Sequence, residues 1–157
     1  MKIKLLVVGQ TNMKFVEAGS SEFFARLKHY TDFEMLVIAP PKNAAKLEVA
    51  ELKNKEAENI LAKTQPSDFI VLLDEKGVAY SSVEFSDFLQ KRMNSGVKNL
   101  VFVVGGAFGF SEKMYERANS KLSLSKMTFS HQLIRLIFAE QLYRAFTIIR
   151  NEKYHNE

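Results

Sequence analysis

Apolar positions along the chain follow two rhythms, runs that fill both faces of a strand and stripes that recur every third or fourth residue. Lys2-Ile-Lys-Leu-Leu-Val-Val8 begins as alternation and ends as an unbroken apolar run, which predicts a first strand entering the middle of a sheet and leaving it at Gly9. From about Asn12 to Tyr30, Phe15, Phe23, Phe24 and Leu27 recur among charged residues, an amphipathic helix weakened in its middle by Gly19 and the neighbouring serines. Phe33 to Ile38 reads as a second strand stopped by Pro40-Pro41. Ala44 to Thr64 carries Leu47, Val49, Leu52, Ala57, Ile60 and Leu61 among many Lys and Glu, predicting one long, largely solvated helix closed by Pro66. Asp68 to Asp74 is a third strand ending in a turn at Glu75-Lys-Gly77. Ser81-Ser82 before Glu84 marks a helix start, with its stop at Gly96. Leu100 to Val104 is a fourth strand, Ser111 caps a short helix to Ala118, and Leu122 to Ser125 is a short fifth strand.

The last helix, His131 to about Arg150, is apolar on nearly every face through Leu133, Ile134, Leu136, Ile137, Phe138, Leu142, Tyr143, Phe146, Ile148 and Ile149. One sheet covers one face of a helix in so small a domain, so a second subunit is expected on the other, a homodimer through the C-terminal helix. Alternating strands and helices with strands of the buried type predict a single α/β domain over residues 1–157, a mostly parallel sheet flanked by helices.

Composition narrows the setting. An apolar content of 46% in 157 residues suffices for one sizeable core. No apolar run reaches the length of about 18 residues that a membrane span needs, and no secretory leader is evident, so a cytoplasmic protein is expected. The lack of cysteine excludes thiolate chemistry and disulfides, and a net charge of +4 leans mildly toward a polyanionic partner such as nucleic acid.

Candidate chemistry concentrates in two stretches. Leu100-Val-Phe-Val-Val-Gly-Gly-Ala-Phe-Gly-Phe110 is a buried-type strand that stops at glycines, and ligands in open α/β sheets lie just beyond the carboxyl ends of strands. Gly105, Gly106 and Gly109 are therefore a ligand loop or a tight structural turn. Their spacing is not that of a dinucleotide site, and the P-loop lysine is missing. The second stretch, Leu122-Ser-Leu-Ser-Lys-Met-Thr-Phe-Ser-His131, is rich in hydroxyls and lines a polar pocket or forms a hydrophilic loop. Asp74 holds a ribose hydroxyl or shapes a turn, the commoner role, and His131 fits a helix cap better than a catalytic group. Glu140 and Arg144, four apart on an apolar helix, are placed to pair with each other. Histidine spacing gives no metal site, no metal is expected, and no serine-hydrolase elbow occurs.

Val103 to Phe110, Leu124-Ser-Lys-Met-Thr-Phe-Ser-His131, Glu140-Gln-Leu-Tyr-Arg-Ala145 and the closing Tyr154-His155 together resemble the small SPOUT-class RNA methyltransferases, in particular the RlmH (YbeA-like) type. That type methylates N3 of a pseudouridine in large-subunit ribosomal RNA, and the length, the opening strand and Leu73-Asp74 also fit it. The resemblance implies a C-terminal segment tucked through a loop as a deep trefoil knot, a cytoplasmic homodimer, and S-adenosyl-L-methionine as cofactor. It places the cofactor against Leu73, Gly105, Leu124, Ser125, Lys126, Met127, Thr128 and Phe129. It assigns His155 to removal of the N3 proton, Tyr154 to positioning the base, Arg144 to phosphate or a uracil oxygen, and His131 to a supporting place at the cofactor loop. Two departures stand out: Ser130 occupies a position where the family commonly has proline, and Ala107-Phe108 replace smaller or acidic residues. The competing expectations are a SPOUT enzyme acting on another RNA such as tRNA, which the Tyr154-His155 tail speaks against, and a non-catalytic module binding RNA or S-adenosylmethionine.

Overall fold

The computed structural model describes residues 1–156. Its elements run β1 (Lys2–Val8), α1 (Lys14–Leu27), β2 (Asp32–Ile38), α2 (Val49–Leu61), β3 (Phe69–Ala79), α3 (Ser82–Asn94), β4 (Asn99–Val104), α4 (Glu112–Arg117), β5 (Ser120–Ser123) and α5 (Leu133–Ile149). The five strands form one sheet in the order β2-β1-β4-β3-β5, every pairing parallel. The α/β fold with a parallel sheet flanked by helices is thus the one the pattern predicts.

Because side chains alternate along a strand, the central strands feed two cores. Ile3, Leu5 and Val7 of β1 and Leu100, Phe102 and Val104 of β4 meet Leu27 of α1, Phe85 and Leu89 of α3, and Phe138 and Leu142 of α5. Leu6 and Val8, with Val101 and Val103, meet Ala57 and Ile60 of α2 and Met114 of α4 on the opposite face. Phe138 anchors α5 on the sheet, its ring centroid 4.7 Å from that of Phe102.

Several elements depart from the sequence pattern. The helix expected over Ala44 to Thr64 is broken. A 3-10 turn at Ala44–Lys46 follows Asn43 in the left-handed region, and Leu47 and Glu48 are extended before α2 begins. The turn expected at Glu75 to Gly77 is carried inside β3, which runs to Ala79 because β5 pairs with both of its ends. Leu122 faces Leu73 and Val78 alike, and residues between them bulge. A Cβ on Gly77 would lie 2.7 Å from the Leu122 backbone, so only glycine admits this approach. β5 begins and ends two residues earlier than expected, leaving Leu124 and Ser125 in the following loop.

The cover on α5 also differs from expectation. α1 and α3 pack along its flanks, so the sheet is not its only neighbour within the chain. Gly19, read from sequence as a weak point of α1, is where α5 comes close: a Cβ there would meet Leu136 Cδ1 at 2.8 Å. Ser81 and Glu84 form the expected cap of α3, each side chain accepting from the other's backbone N–H. Ser111 stands at the start of α4 without capping it, and its buried Oγ has no hydrogen-bond partner among the described residues.

The start of α5 is bound to the exit of β1. Arg135 is fully buried. Its guanidinium donates to Val8 O at 2.8 Å, Gly9 O at 3.0 Å, Thr11 Oγ1 at 2.9 Å and, through Nε, His131 O at 3.1 Å. Beside it, Gln132 donates to Gln10 O and accepts from the Asn12 N–H, both at 2.9 Å. No acidic side chain pairs with Arg135 among the described residues; carbonyl and hydroxyl dipoles compensate its charge.

Removing a buried, fully bonded cation leaves those carbonyls unpaired at roughly 1–3 kcal/mol each, less whatever water reaches them. Arg135→Ala is therefore expected to lower the unfolding free energy by about 3 kcal/mol or more in urea denaturation. A loss below about 1 kcal/mol would show that the clamp is dispensable.

Candidate functional site

The bulge of β3 and the carboxyl ends of β4 and β5 open onto a cavity of about 640 Å³. That volume suits a ligand of cofactor size. Its walls follow from how each strand ends.

β4 leaves the sheet at Val104 and turns back through a small hairpin in which Gly106 and Gly109 bridge and Gly109 N–H donates to Gly106 O at 3.2 Å. Gly109 has φ +79°, a conformation that favours glycine. Ala107 and Phe108 sit at the tip, and Phe108 is 57% exposed at the cavity rim. The glycine stretch is thus both of the things its sequence allowed, a tight turn and a cavity wall.

At the bulge within β3, Asp74 accepts from Lys76 N–H at 2.8 Å through Oδ1, while its Oδ2 accepts from the Tyr115 hydroxyl. Burial and this bond push the Tyr115 phenol well above its ordinary value, so it remains a donor. The loop after β5 is stitched internally: Ser123 Oγ donates to Ser125 O, and Ser125 Oγ accepts from Met127 N–H, both at 2.9 Å. Thr128 Oγ1 donates to Glu75 Oε2 at 2.5 Å, tying this loop to the bulge of β3 across the cavity mouth.

α5 is capped by Ser130, whose Oγ accepts from Leu133 N–H at 3.1 Å, and not by His131. Ser130 thus fastens the loop to the first turn of α5 by a hydrogen bond. His131 itself lines the cavity, and burial together with the Arg135 charge pulls its pKa below the ordinary 6.5.

Of the residues expected at the cofactor, Leu73, Gly105, Leu124, Ser125, Met127, Thr128 and Phe129 border the cavity. Lys126 does not: it is exposed on the outside of the loop. Lys53 of α2, not anticipated, does border it.

Arg144, Tyr154 and His155 form a second group, away from the cavity. Arg144 donates to Glu140 Oε1 through Nε at 3.0 Å and Nη2 at 2.6 Å, and Tyr154 Oη donates to the same oxygen at 3.1 Å. Arg144 Nη1 lies 3.3 Å from His155 Nδ1, and the guanidinium covers the Tyr154 ring at 4.8 Å. Burial and the Glu140 charge raise the Tyr154 phenol. The tail is therefore packed onto α5. Ile134 lines the cavity and Arg144 follows ten residues later, about 15 Å along the helix axis at 1.5 Å per residue. The two groups do not meet within one chain.

Two buried charges in the site's framework escaped the sequence reading, Glu56 and Arg135. Both signals are in the pattern: Glu56 lies four residues from Leu52 and from Ile60 on the apolar stripe of α2, and Arg135 interrupts Leu133 to Phe138 on a core-facing turn. Charges at core positions are read by default as surface.

An all-parallel sheet with a cofactor-sized cavity at its carboxyl edge and a polar cluster on its last helix defines a small α/β protein built to bind a ligand. The family described as "Predicted SPOUT methyltransferase" matches residues 1–155. The chain is 54% identical over 156 residues to the ribosomal RNA large subunit methyltransferase H of Christiangramia forsetii, covering 99% of each chain. It is 54% identical over 157 residues to the protein of that name from Parabacteroides distasonis, and 51% identical to that from Flavobacterium johnsoniae, covering 100% of each chain in both cases. The chain belongs to the SPOUT methyltransferase family.

Because the folded state holds His131 below its ordinary pKa, the unfolded chain takes up this proton first as pH falls. The stability associated with neutral His131 is present above about pH 6.5 and is lost as pH drops toward the folded value. His131→Gln is expected to lose less stability than the parent between about pH 7 and 5 in urea denaturation. Equal losses in the two proteins would place the titration elsewhere.

Proposed function

We propose that the protein transfers a methyl group from S-adenosylmethionine to large-subunit ribosomal RNA in the cytoplasm, with N3 of a pseudouridine as the acceptor. The observation that carries this reading is the full-length identity of about half to relatives named as large-subunit ribosomal RNA methyltransferases, joined to a cavity bordered by the two stretches that resemble that type. No helix among the described residues is long and apolar enough to cross a membrane.

The cavity fits the proposed cofactor in kind. Gly105 and Gly106 border the cavity with main-chain atoms alone, Leu73 and Leu124 offer apolar contact, and the loop through Met127 and Thr128 brings further groups to the mouth. Lys126, exposed and not bordering the cavity, is left out of this assignment. When bound, S-adenosylmethionine supplies an electrophilic methyl group. The protein's part is then to align the acceptor base, exclude water and take up the N3 proton.

Arg144, Tyr154 and His155 are the residues proposed for that part. Arg144 offers a fork of donors for a phosphate or uracil oxygen, Tyr154 a ring and hydroxyl for the base, and His155 an imidazole for the proton. Since Arg144 lies about 15 Å along α5 from the cavity of its own chain, action of this group on a bound cofactor needs a second copy. α5 supplies a surface for it: Leu133, Ile137 and Ile148 remain partly exposed there. Two copies packed through antiparallel α5 helices would set the cluster of each beside the cavity of the other, so the reading includes a homodimer. The knot that the resemblance implies forms part of the same proposal.

Ribosomes from a strain lacking the protein, incubated with it and labelled S-adenosylmethionine, are expected to carry label at N3 of a pseudouridine in large-subunit RNA, located by mass spectrometry. Label on tRNA instead, or cofactor binding without transfer to any RNA, would overturn the substrate or the enzymatic reading respectively. With ribosomes as substrate, His155→Ala is expected to lower kcat by about 100-fold or more while leaving cofactor affinity unchanged. An unaltered rate would remove His155 from proton transfer.

A further inference from the structure

Glu56 is the one acidic residue of α2 with its side chain in the core, 8% exposed between Leu52 and Ile60 on the helix stripe that packs under the sheet. Its carboxylate lies against the Gly106 main chain, close enough for the Gly106 N–H to favour its charged form, and among the described residues no cation pairs with it. The approach is so close that a Cβ on Gly106 would stand 2.5 Å and 2.7 Å from the two carboxylate oxygens. Gly106 is itself a wall of the cavity, and Lys53, one turn before Glu56 on α2, is another. Burial pushes the Glu56 carboxyl above its ordinary value, and the Gly106 N–H partly offsets this.

A buried carboxylate is costly to keep, and a single N–H from a turn is a small return in stability. What this bond does is locate. Within the hairpin from Gly105 to Gly109 the main chain is bridged at Gly106–Gly109, and three of its five positions have no side chain with which to pack. A backbone that a ligand must approach closely therefore takes its position from the helix behind it.

We propose that Glu56 is a positioning residue for the cofactor: by holding the Gly106 N–H from behind, it sets the Gly105–Gly106 backbone at the distance the cofactor requires. Gly106 is glycine for the same reason, since any side chain there displaces the carboxylate. This rests on the reading that the cavity holds S-adenosylmethionine.

The test uses the full-length protein and S-adenosylmethionine itself, with binding by calorimetry, steady-state methylation of ribosomes, and the Gly106 amide resonance in nitrogen-15-labelled protein. Glu56→Leu keeps the core filled but removes the acceptor, whereas Glu56→Gln keeps an acceptor oxygen. Glu56→Leu is expected to move the Gly106 amide resonance and weaken cofactor binding about tenfold, the scale of one charge-assisted hydrogen bond, raising KM for the cofactor and leaving kcat in place. Glu56→Gln is expected to stay close to the parent in all three readouts. Gly106→Ala should weaken binding alone, and combining it with Glu56→Leu should cost no more than the larger single effect, because the two changes break the same contact. Parent-like cofactor affinity in Glu56→Leu, loss in Glu56→Gln equal to that in Glu56→Leu, or additive losses in the double variant would each overturn the proposal. A parent protein that binds no S-adenosylmethionine would instead overturn the functional reading on which it rests.

Discussion

The structure depends on a cation that no acidic side chain among the described residues meets. Arg135 sits fully buried among the carbonyls of Val8, Gly9 and His131 and the hydroxyl of Thr11, a set that holds a charge by dipoles. The fork of a guanidinium suits the task because its donors reach several acceptors in one plane, which an ammonium cannot do from a single nitrogen. Those acceptors belong to the first strand's exit and the last helix's entrance, segments separated by most of the chain. One side chain thereby joins the beginning of the fold to its end. Through the His131 carbonyl the same contact reaches the loop that closes the cavity, so core and site share a fastening.

What was legible in the sequence follows from where burial leaves a pattern. β1 and β4 are apolar on both faces because both faces are covered, and such runs are hard to mistake. The glycine stretch and the hydroxyl-rich loop were legible as site because each follows a strand at the edge where α/β ligands lie. The break before α2 was hidden because Leu47 and Glu48 are acceptable helix residues, extended here after a left-handed Asn43. The continuation of β3 was hidden because Asp-Glu-Lys-Gly is also a good turn; pairing with β5, a tertiary fact, decided otherwise.

Within the site, each misread residue has its own cause. Lys126 was grouped with its neighbours by the resemblance, which assigns the loop as a whole, and in the structure it is exposed and does not border the cavity. His131 was taken for a cap that Ser130 supplies, a shift of one residue. Glu56 and Arg135 were passed over because charge is a surface signal almost everywhere else. The packing of Tyr154 and His155 onto Arg144 lay beyond reach, since nothing in a polar tail states that it folds back.

α5 carries the cavity's rim at one end and the Arg144 cluster toward the other, and its entrance is clamped at Arg135. A rigid rod of this kind acts as a gauge. One residue inserted between Ile134 and Arg144 would turn everything beyond it by roughly 100° and advance it by about 1.5 Å, swinging Arg144 off its present face and Leu142 and Phe146 off the core. Length in this helix is therefore constrained as tightly as identity, whereas the connection from β2 to α2, which bears no part of the cavity before Lys53, is free to lengthen. Lineages of this fold are expected to vary in that connection and to keep count along the last helix.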